Sequence, residues 1–497
     1  MITSLALPGV IRTSFLVLVI MGLSGAFSSL VLADSGSIQG KTDSNTNHIS
    51  NSVPDNSKVH EYQLKNGMKV LVKQDKRAPV AVIQVWYRIG TSYEHDGITG
   101  LSHLLEHMMF KGTKKHASGE FEKLVSAIGA RNNAFTSQDY TAYYEVLASD
   151  KLETAIEIEA DRMRNLLFDP EEFKKELEVV KEERRLRTDD NPNALMREQF
   201  NAVAFLNSPY RAPVIGWMVD LEHMKVEDAH DWYKKWYTPN NATLVIVGDV
   251  DPEQIHAWAE KYFGVYQSHP LPDVKVRTEV EQKGIRHITM KLPAKLPGLR
   301  MGFKVPGMIS AKKGEVEKWE PYALEVLAYI LDGGDSARFA KNLVRGREIA
   351  ASAGAGYYSY GRLPNLFVIT GVPAKDVSTA DLQKALLNEV DILKNELVSE
   401  AELKRVKAQV VANEVFERDS IEHVATLLGS LESVGLGHQY MDDYVPGVLA
   451  VTAEQIREVA KKYLLEDHLT VAELIPQSLK TTAKTEKKPS TTKSIKK

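Results

Sequence analysis

The chain has 497 residues, 43% hydrophobic and 26% charged, which is enough for two or more domains with separate cores. Its formal net charge is −4, to which Arg12 contributes +1 and residues 478–497 contribute +6, so residues 34–477 carry −11. An acidic body argues against nucleic acid as a partner, and the absence of cysteine excludes disulfides.

Residues 1–33 carry one charge, Arg12, and an apolar run from Ser14 to Leu32 that ends in Val-Leu-Ala33. This pattern predicts a secretory signal peptide at residues 1–33 and therefore export, with the periplasm as the expected compartment. The run is about 20 residues long, so an uncleaved membrane anchor through residues 14–33 is the alternative, and only then would the chain meet a membrane. Residues 34–57 are polar and predict a flexible segment.

The segment from Gly100 to Thr113 contains the pattern His-x-x-Glu-His, formed by His103, Glu106 and His107. Residues four apart lie on one face of a helix, so both imidazoles can reach one point. The apolar flanks predict a buried helix, in which a glutamate is costly unless a cation compensates it. Two histidines with an acid between them can bind zinc and activate a water molecule. The pattern therefore indicates a peptidase site with one zinc ion per chain, although such ligands also accept manganese or cobalt.

A third protein ligand is expected, because a catalytic zinc site normally has three and leaves one position open. Residues 170–185 predict a long charged helix, and its pattern alone does not choose among six glutamates. These are Glu171, Glu172, Glu176, Glu178, Glu182 and Glu183. Glu176 and Glu183 lie seven apart on one face, so one could bind the metal while the other supports it. The plain alternative for each glutamate is a solvated helix face.

Further motifs accompany the His-x-x-Glu-His pattern in a fixed order. They lie at residues 64–70, 132–136, 139–143, 209–210, 216–217 and 236–249. With the His-x-x-Glu-His segment, they resemble the N-terminal half of the pitrilysin and mitochondrial-processing-peptidase family, the inverzincin zinc peptidases, over residues 62–264. The resemblance implies that Glu183, which stands at the family's spacing beyond His107, completes the zinc site, that Glu176 supports it, and that Glu106 is the general base.

The same resemblance implies how substrate is held. Asn133, Ala134 and Phe135 would belong to a strand edge to which an extended peptide adds through backbone pairing. From the residues alone, an ordinary strand end is nearly as good an interpretation of this segment.

The second part of the chain resembles the first. Residues 267–285 interrupt the periodic pattern and predict a linker. A helix at residues 226–236, followed by a strand, recurs at residues 453–463. We therefore expect an α+β fold with two tandem homologous α/β-sandwich domains, at residues 58–266 and 286–477. The resemblance adds that the two domains form a clam-shell half chamber, and that the second, which lacks His-x-x-Glu-His, is catalytically silent.

The second domain departs from the family pattern at one point. In many active relatives it carries an arginine and, six or seven residues later, a tyrosine that bind the substrate carbonyl. Arg345 is available for the first role, but Ala351 stands where the tyrosine is expected. This departure predicts a homodimer or a heterodimer with a paralogous subunit that supplies the pair, with Tyr357 or Tyr358 as a substitute within the chain.

The C-terminal residues 478–497 contain seven lysines and predict a basic disordered tail. Taken together, the sequence predicts an exported zinc metallo-endopeptidase that hydrolyses peptides or unfolded segments. The alternatives are a non-catalytic peptide-binding or scaffold subunit of a heterodimeric peptidase, and a protein with structural zinc. A complete set of candidate ligands and base argues against the scaffold, and Glu106 beside the metal argues against a structural site.

Overall fold

The computed structural model describes residues 58–477 of the chain. Three sequence predictions concern residues outside the described range: the signal peptide or anchor at residues 1–33, the flexible segment at residues 34–57 and the basic tail at residues 478–497. Within residues 58–477, no helix combines the length and the apolar character needed to cross a membrane.

The first half of the described chain contains six strands and eight α-helices. The strands are β1 (Val59–Gln63), β2 (Lys69–Gln74), β3 (Val80–Tyr87), β4 (Arg131–Thr136), β5 (Thr141–Ala148) and β6 (Ala242–Gly248). The helices are α1 (Leu101–Met108), α2 (Glu120–Ala127), α3 (Leu152–Asn165), α4 (Pro170–Arg184), α5 (Pro192–Ala204), α6 (Met218–His223), α7 (Val226–Trp236) and α8 (Pro252–Tyr262).

The second half of the described chain contains five strands and seven α-helices. The strands are β7 (Arg286–Pro293), β8 (Gly298–Val305), β9 (Ala350–Tyr357), β10 (Asn365–Pro373) and β11 (Leu469–Gln477). The helices are α9 (Met308–Lys312), α10 (Glu320–Asp332), α11 (Thr379–Asn395), α12 (Glu400–Glu417), α13 (Ile421–Ser433), α14 (Tyr440–Ala450) and α15 (Ala453–Tyr463).

Local sequence explains where the helices near the predicted site begin. Asp169 caps α4 by accepting hydrogen bonds from the backbone N–H groups of its first turn, and Pro170, which has no N–H to leave unpaired, opens the helix. Asn191 and Pro192 start α5 in the same way. A short π-helical segment, Arg185–Asp189, joins the two helices directly after Glu183 and Arg184.

Each half is built around one mixed sheet, and the two sheets have the same strand order. The first runs β1-β2-β6-β3-β5-β4 and the second β7-β11-β8-β10-β9. Each contains one parallel pair, β2 with β6 and β7 with β11. Without β1, the sheets match strand for strand, and α7 and α15 occupy the two places that the sequence repeat predicts. The predicted α+β fold with two tandem homologous domains is confirmed.

The two halves exchange a helix across their interface. α13 lies against β3 and β6 of the first sheet, and α5 lies against β7, β8 and β11 of the second. The helices pack closely because glycine stands at each contact: a Cβ at Gly429 would lie 2.1 Å from the Trp86 ring, and a Cβ at Gly302 would lie 2.7 Å from the Phe200 ring. One face of each sheet is thus packed against a helix that belongs to the other half.

The linker at residues 267–285 is largely without regular structure, since residues 267–283 belong to no helix or strand. The first sheet takes its strands from Val59–Gly248 and the second from Arg286–Gln477. The domain boundaries at residues 266 and 286 stay predictions, because the exchanged helices make the two cores interdependent.

Candidate metal centre

α1, which carries both histidines, is fixed at its N-terminus. The buried Glu94 accepts hydrogen bonds from the backbone N–H groups of Gly100 (2.8 Å) and Ser102 (2.7 Å), which the helix leaves unpaired. Burial raises the pKa of Glu94 to about 7. Gly100 has φ +88°, and a Cβ there would lie 2.5 Å from the carbonyl oxygen of Ile215. Glycine is therefore required where the chain enters α1.

The two histidines and Glu183 meet at one point. His107 Nε2 lies 3.4 Å from Glu183 Oε2, and His103 Nε2 lies 3.8 Å from the same oxygen. Ligand atoms held tetrahedrally by zinc at about 2.0–2.1 Å are about 3.3 Å from one another. Both the donor atoms and their spacing therefore fit a zinc ion.

α4 brings two of its glutamates to this point, Glu183 and Glu176. Glu176 Oε2 lies 3.4 Å from His107 Nδ1, and its other oxygen lies 2.7 Å from Lys111 Nζ. Glu171 is exposed at the start of the helix. The remaining glutamates pair with cations nearby in the chain: Glu172 with Lys175, Glu178 with Lys181, and Glu182 with Arg185. The structure thus places the two glutamates that the resemblance selects beside the histidines.

The three ligand candidates differ in charge. Burial lowers the pKa of His103 to about 3, helped by the neighbouring His107, so this imidazole is neutral. Burial lowers the pKa of His107 as well, but hydrogen bonds with Glu176 and Glu183 outweigh it and raise the pKa to about 9. Burial is also outweighed at Glu183, whose pKa is lowered to about 2 by its hydrogen bond with His107 and by the charges nearby. A neutral imidazole and an ionised carboxylate are the forms that bind a metal.

Glu106 lies beside the ligand set and is buried. Its Oε2 accepts a hydrogen bond of 2.6 Å from the hydroxyl of Thr136. Burial raises the pKa of Glu106 to about 7, against the opposing effects of His107 and Thr136. A carboxyl group with a pKa near 7 can both accept and donate a proton at neutral pH.

The predicted substrate-binding residues fall in two places. Asn133, Ala134 and Phe135 belong to β4, the edge strand of the first sheet, which ends at Thr136 next to Glu106. Arg345 is exposed in a π-helical segment of the second half and donates to the Asp335 carbonyl oxygen. Among the described residues, β4 is therefore connected to the metal centre through Thr136, whereas Arg345 makes its contact within the second half.

The sequence suggests Tyr357 or Tyr358 as a substitute for the tyrosine expected after Arg345, and the structure shows where both lie. Ala351 lies in β9. Tyr357 donates its hydroxyl to the carbonyl oxygen of Pro306 (2.6 Å), and Tyr358 is 48% exposed. Tyr357 is thus engaged in the second half, and the Tyr358 hydroxyl is engaged by Tyr140 of the first half.

A second group of possible metal ligands, Glu61, Glu432 and His438, links β1 to the end of α13. Lys69 Nζ lies 2.9 Å from Glu432 and 3.1 Å from Glu61, so an ammonium group already pairs with both carboxylates. At the first group, the nearby cation Arg187 pairs with Glu183 Oε1 (2.6 Å) and leaves Oε2 to the histidines. The histidine pair and Glu183 are therefore the better zinc site.

Three side chains that hold the site in place are not singled out by the sequence. Thr136 donates to Glu106, Arg187 pairs with Glu183, and Lys111 pairs with Glu176. Arg187 follows Glu183 by four residues, a spacing that signals a pair on a helix surface. Lys111 and Thr136 contact partners far away in the chain, so no local pattern identifies them.

Comparison with known proteins places this site in a family. A family model described as insulinase (peptidase family M16) matches residues 69–216, and one described as peptidase M16 inactive domain matches residues 223–410. Zinc protease PqqE of Helicobacter pylori is 30% identical over 425 residues, covering 83% of this chain and 92% of that protein. A protein of Bacillus subtilis named uncharacterized zinc protease YmxG is 25% identical over 410 residues, covering 82% of this chain and 97% of its own.

Solved structures agree on the fold. A protease from Helicobacter pylori superposes with a TM-score of 0.78 at 28% identity, covering 84% of this chain and 99% of that one. The periplasmic protease PqqL from Escherichia coli superposes with a TM-score of 0.70 at 17% identity over 86% of this chain, which spans 48% of PqqL. The resemblance found in the sequence is confirmed, and the chain belongs to peptidase family M16, the insulinase family.

Proposed function

We propose that this chain is a zinc metallo-endopeptidase that hydrolyses peptides or unfolded segments. The observation that carries the proposal is the convergence of His103, His107 and Glu183 on one point, with the buried Glu106 beside it. Two relatives that the chain matches over most of their length are named zinc proteases.

His103, His107 and Glu183 would hold one zinc ion, and zinc when bound supplies a Lewis acid that polarises water and the substrate carbonyl. The three ligands leave a position open, as in catalytic rather than structural zinc sites. Glu176 would hold the His107 ring through Nδ1, the atom opposite the one that faces the ligand point.

Glu106 would act as the general base and then as the acid. It takes a proton from the attacking water and delivers it to the nitrogen of the departing amine. Thr136 fixes one carboxylate oxygen by its hydrogen bond, which would leave the other oxygen to accept the proton. Burial raises the pKa of Glu106, which favours its taking up a proton from water and handing it on.

The substrate would lie as an extended strand along β4. β4 is an edge strand, so its outer backbone groups can pair with a peptide of many different sequences. Because Thr136 ends β4 and touches Glu106, a peptide along Asn133, Ala134 and Phe135 would run past the catalytic carboxylate. A chamber closed by the second half would restrict substrates to peptides or unfolded segments.

We further propose that the chain works as a dimer, with a second copy or with a paralogous subunit. Arg345 is engaged by the Asp335 carbonyl within the second half, and Ala351 offers no hydroxyl, so a partner would supply the arginine and tyrosine that stabilise the developing oxyanion. Export to the periplasm is proposed from the pattern of residues 1–33. PqqL, which has a similar fold, is described as a periplasmic protease.

The deciding experiment compares residues 34–497 with the Glu106→Gln variant on a pool of short unfolded peptides, with and without chelator. We expect one zinc per chain in both proteins, and chelator-sensitive cleavage by the unchanged chain alone. Zinc without cleavage by either protein would point to an absent partner subunit. No bound zinc would contradict the proposal.

A further inference from the structure

A loop of the second half reaches into the first half close to the catalytic base. The loop comprises residues 358–364, between β9 and β10. The backbone N–H of Arg362 donates to Asp139 Oδ2 (2.9 Å), and its guanidinium donates to the Ser92 hydroxyl (2.8 Å). The guanidinium also stacks 4.3 Å from the centre of the Tyr93 ring. One arginine thus binds a carboxylate, a hydroxyl and an aromatic face of the other half.

Asp139 is the centre of this cluster. It is 4% exposed and accepts hydrogen bonds from the hydroxyls of Ser92 (2.8 Å) and Tyr210 in addition to the Arg362 contacts. The Tyr210 hydroxyl in turn accepts the backbone N–H of Leu363 (3.1 Å). A carboxylate buried this deeply is costly unless it is paired, and Arg362 Nε, 3.4 Å from Asp139 Oδ1, belongs to the cation that pairs with it.

Asp139 lies in the turn between β4 and β5, three residues after Thr136. The turn is closed by the N–H of Ser137, which donates to the Tyr140 carbonyl (2.8 Å), and it is tied to the preceding loop by the N–H of Ser92, which donates to the Gln138 carbonyl (2.7 Å). Thr136 opens the turn and donates its hydroxyl to Glu106. A continuous path of contacts therefore runs from the second half through the turn to the catalytic carboxylate.

We infer that Arg362 is a positioning residue for Glu106, acting through Asp139 and the β4–β5 turn on Thr136. This inference rests on the proposed peptidase function. It gives the second half, which lacks the His-x-x-Glu-His pattern, a defined part in catalysis: it fixes the strand that carries the Thr136 hydroxyl. Loss of Arg362 leaves Asp139 buried and without its cation, so the turn would move until water reaches the carboxylate.

Arg338 provides a matched control. Its side chain is 16% exposed, as is that of Arg362, and it pairs with Glu402 (2.8 Å) within the second half. Arg338→Met therefore removes an equally buried arginine from an ion pair without touching the β4–β5 turn. Any loss common to both variants reports stability alone.

The test measures kcat and KM separately for Arg362→Met, Arg338→Met, Thr136→Val and the double variant Arg362→Met/Thr136→Val, each with its zinc content. Misplacement of a catalytic group by about 1 Å costs up to about 100-fold in rate, so we expect Arg362→Met to lower kcat by about 10–100-fold with little change in KM. The double variant should be no slower than Thr136→Val, because both changes disable one contact. Arg338→Met should keep the original kcat.

Hydrogen exchange supplies a readout that does not depend on activity. Amides of residues 137–141 should exchange faster in Arg362→Met than in Arg338→Met, since the turn has lost the guanidinium contacts to Asp139 and Ser92. Equal kcat for the two arginine variants, or losses that multiply in the double variant, would overturn the inference while leaving the peptidase proposal intact. An unchanged chain that neither binds zinc nor shows chelator-sensitive activity would instead count against the proposed function itself.

Discussion

Two glutamates of α4, Glu176 and Glu182, lie six residues apart and differ entirely in what they contact. Glu176 is buried and holds His107 through Nδ1, whereas Glu182 is exposed and pairs with Arg185. A carboxylate behind a metal-binding histidine fixes the ring and makes it a better ligand. The position of a glutamate on this helix therefore decides whether it reaches the histidines of α1.

The Glu176→Gln variant should bind zinc about 10–100-fold more weakly than the unchanged chain, because the amide keeps the size of the side chain and removes its charge. Glu182→Gln, on the exposed face of the same helix, should bind zinc as before. Competition with a zinc-binding dye measures both affinities. Equal affinities for the two variants would show that the Glu176 contact does not support the metal.

The sequence predicts the ligand pair but not the whole site. His103 and His107 are four residues apart, so helix geometry alone brings them together. Only the family resemblance separates Glu183 from the other five glutamates of its helix, since periodicity does not tell a solvated glutamate from one that meets a distant histidine. Thr136 is hidden for the same reason, as its partner Glu106 is 30 residues away.

Helix α1 is held at its N-terminus by the buried Glu94, whose ionisation in the folded protein costs free energy. The pKa of Glu94 is raised by burial to about 7, above its ordinary value of 4.5. As pH rises from about 4.5 to 7, the unfolded chain loses this proton before the folded one, so the contribution of Glu94 to stability falls over that range and stays low above it.

Glu94→Gln should therefore cost more stability at pH 5 than at pH 8. The amide cannot ionise, and it loses one of the two backbone hydrogen bonds at both values. Thermal unfolding of both proteins in the presence of chelator, at several values between pH 5 and 8, measures the difference. A difference in Tm that is constant with pH would contradict the raised pKa.

Helix α13 meets the first sheet at a contact with no spare room. Gly429→Ala would place a methyl group 2.1 Å from Trp86 ring atoms, which are fully buried. Overpacking of this kind typically costs about 1–3 kcal/mol, and we expect a loss near the upper end. Gly356→Ala, where nothing lies within 4 Å of the new Cβ, serves as the control and should change stability by less than about 0.5 kcal/mol. Urea unfolding of the three proteins measures both effects, and equal stabilities would show that the helix can shift.

The repeat in the sequence predicts two domains, but it does not predict how they share helices. The repeat aligns α7 with α15 because both are amphipathic in the same register. The sequence does not predict which sheet α5 and α13 cover. Hydrophobic periodicity shows which face of a helix is buried, but it does not show what that face packs against. Arg362 is hidden in the same way, as its partner Asp139 is 223 residues away.

The exchange of helices makes each half incomplete without the other. Without α13, the first sheet would expose Leu71, Val82, Trp86, Val245 and Val247, all buried in the intact protein. Fully burying such a side chain stabilises by about 1.5–3 kcal/mol, so five together approach the whole stability of a typical domain, about 5–15 kcal/mol. α5 would lose its sheet at the same time.

Residues 58–266 expressed alone should therefore fail to fold cooperatively, although they contain every proposed zinc ligand. Co-expression with residues 267–477 should restore a soluble complex that binds one zinc ion, because α5 and α13 can each regain the opposite sheet. Circular dichroism, thermal unfolding and zinc content distinguish the two cases. A fragment that unfolds sharply and binds zinc by itself would mean that the second half covers the first sheet without being needed to form it. The proposed link from Arg362 to Glu106 would then be the main route by which the second half acts on the first.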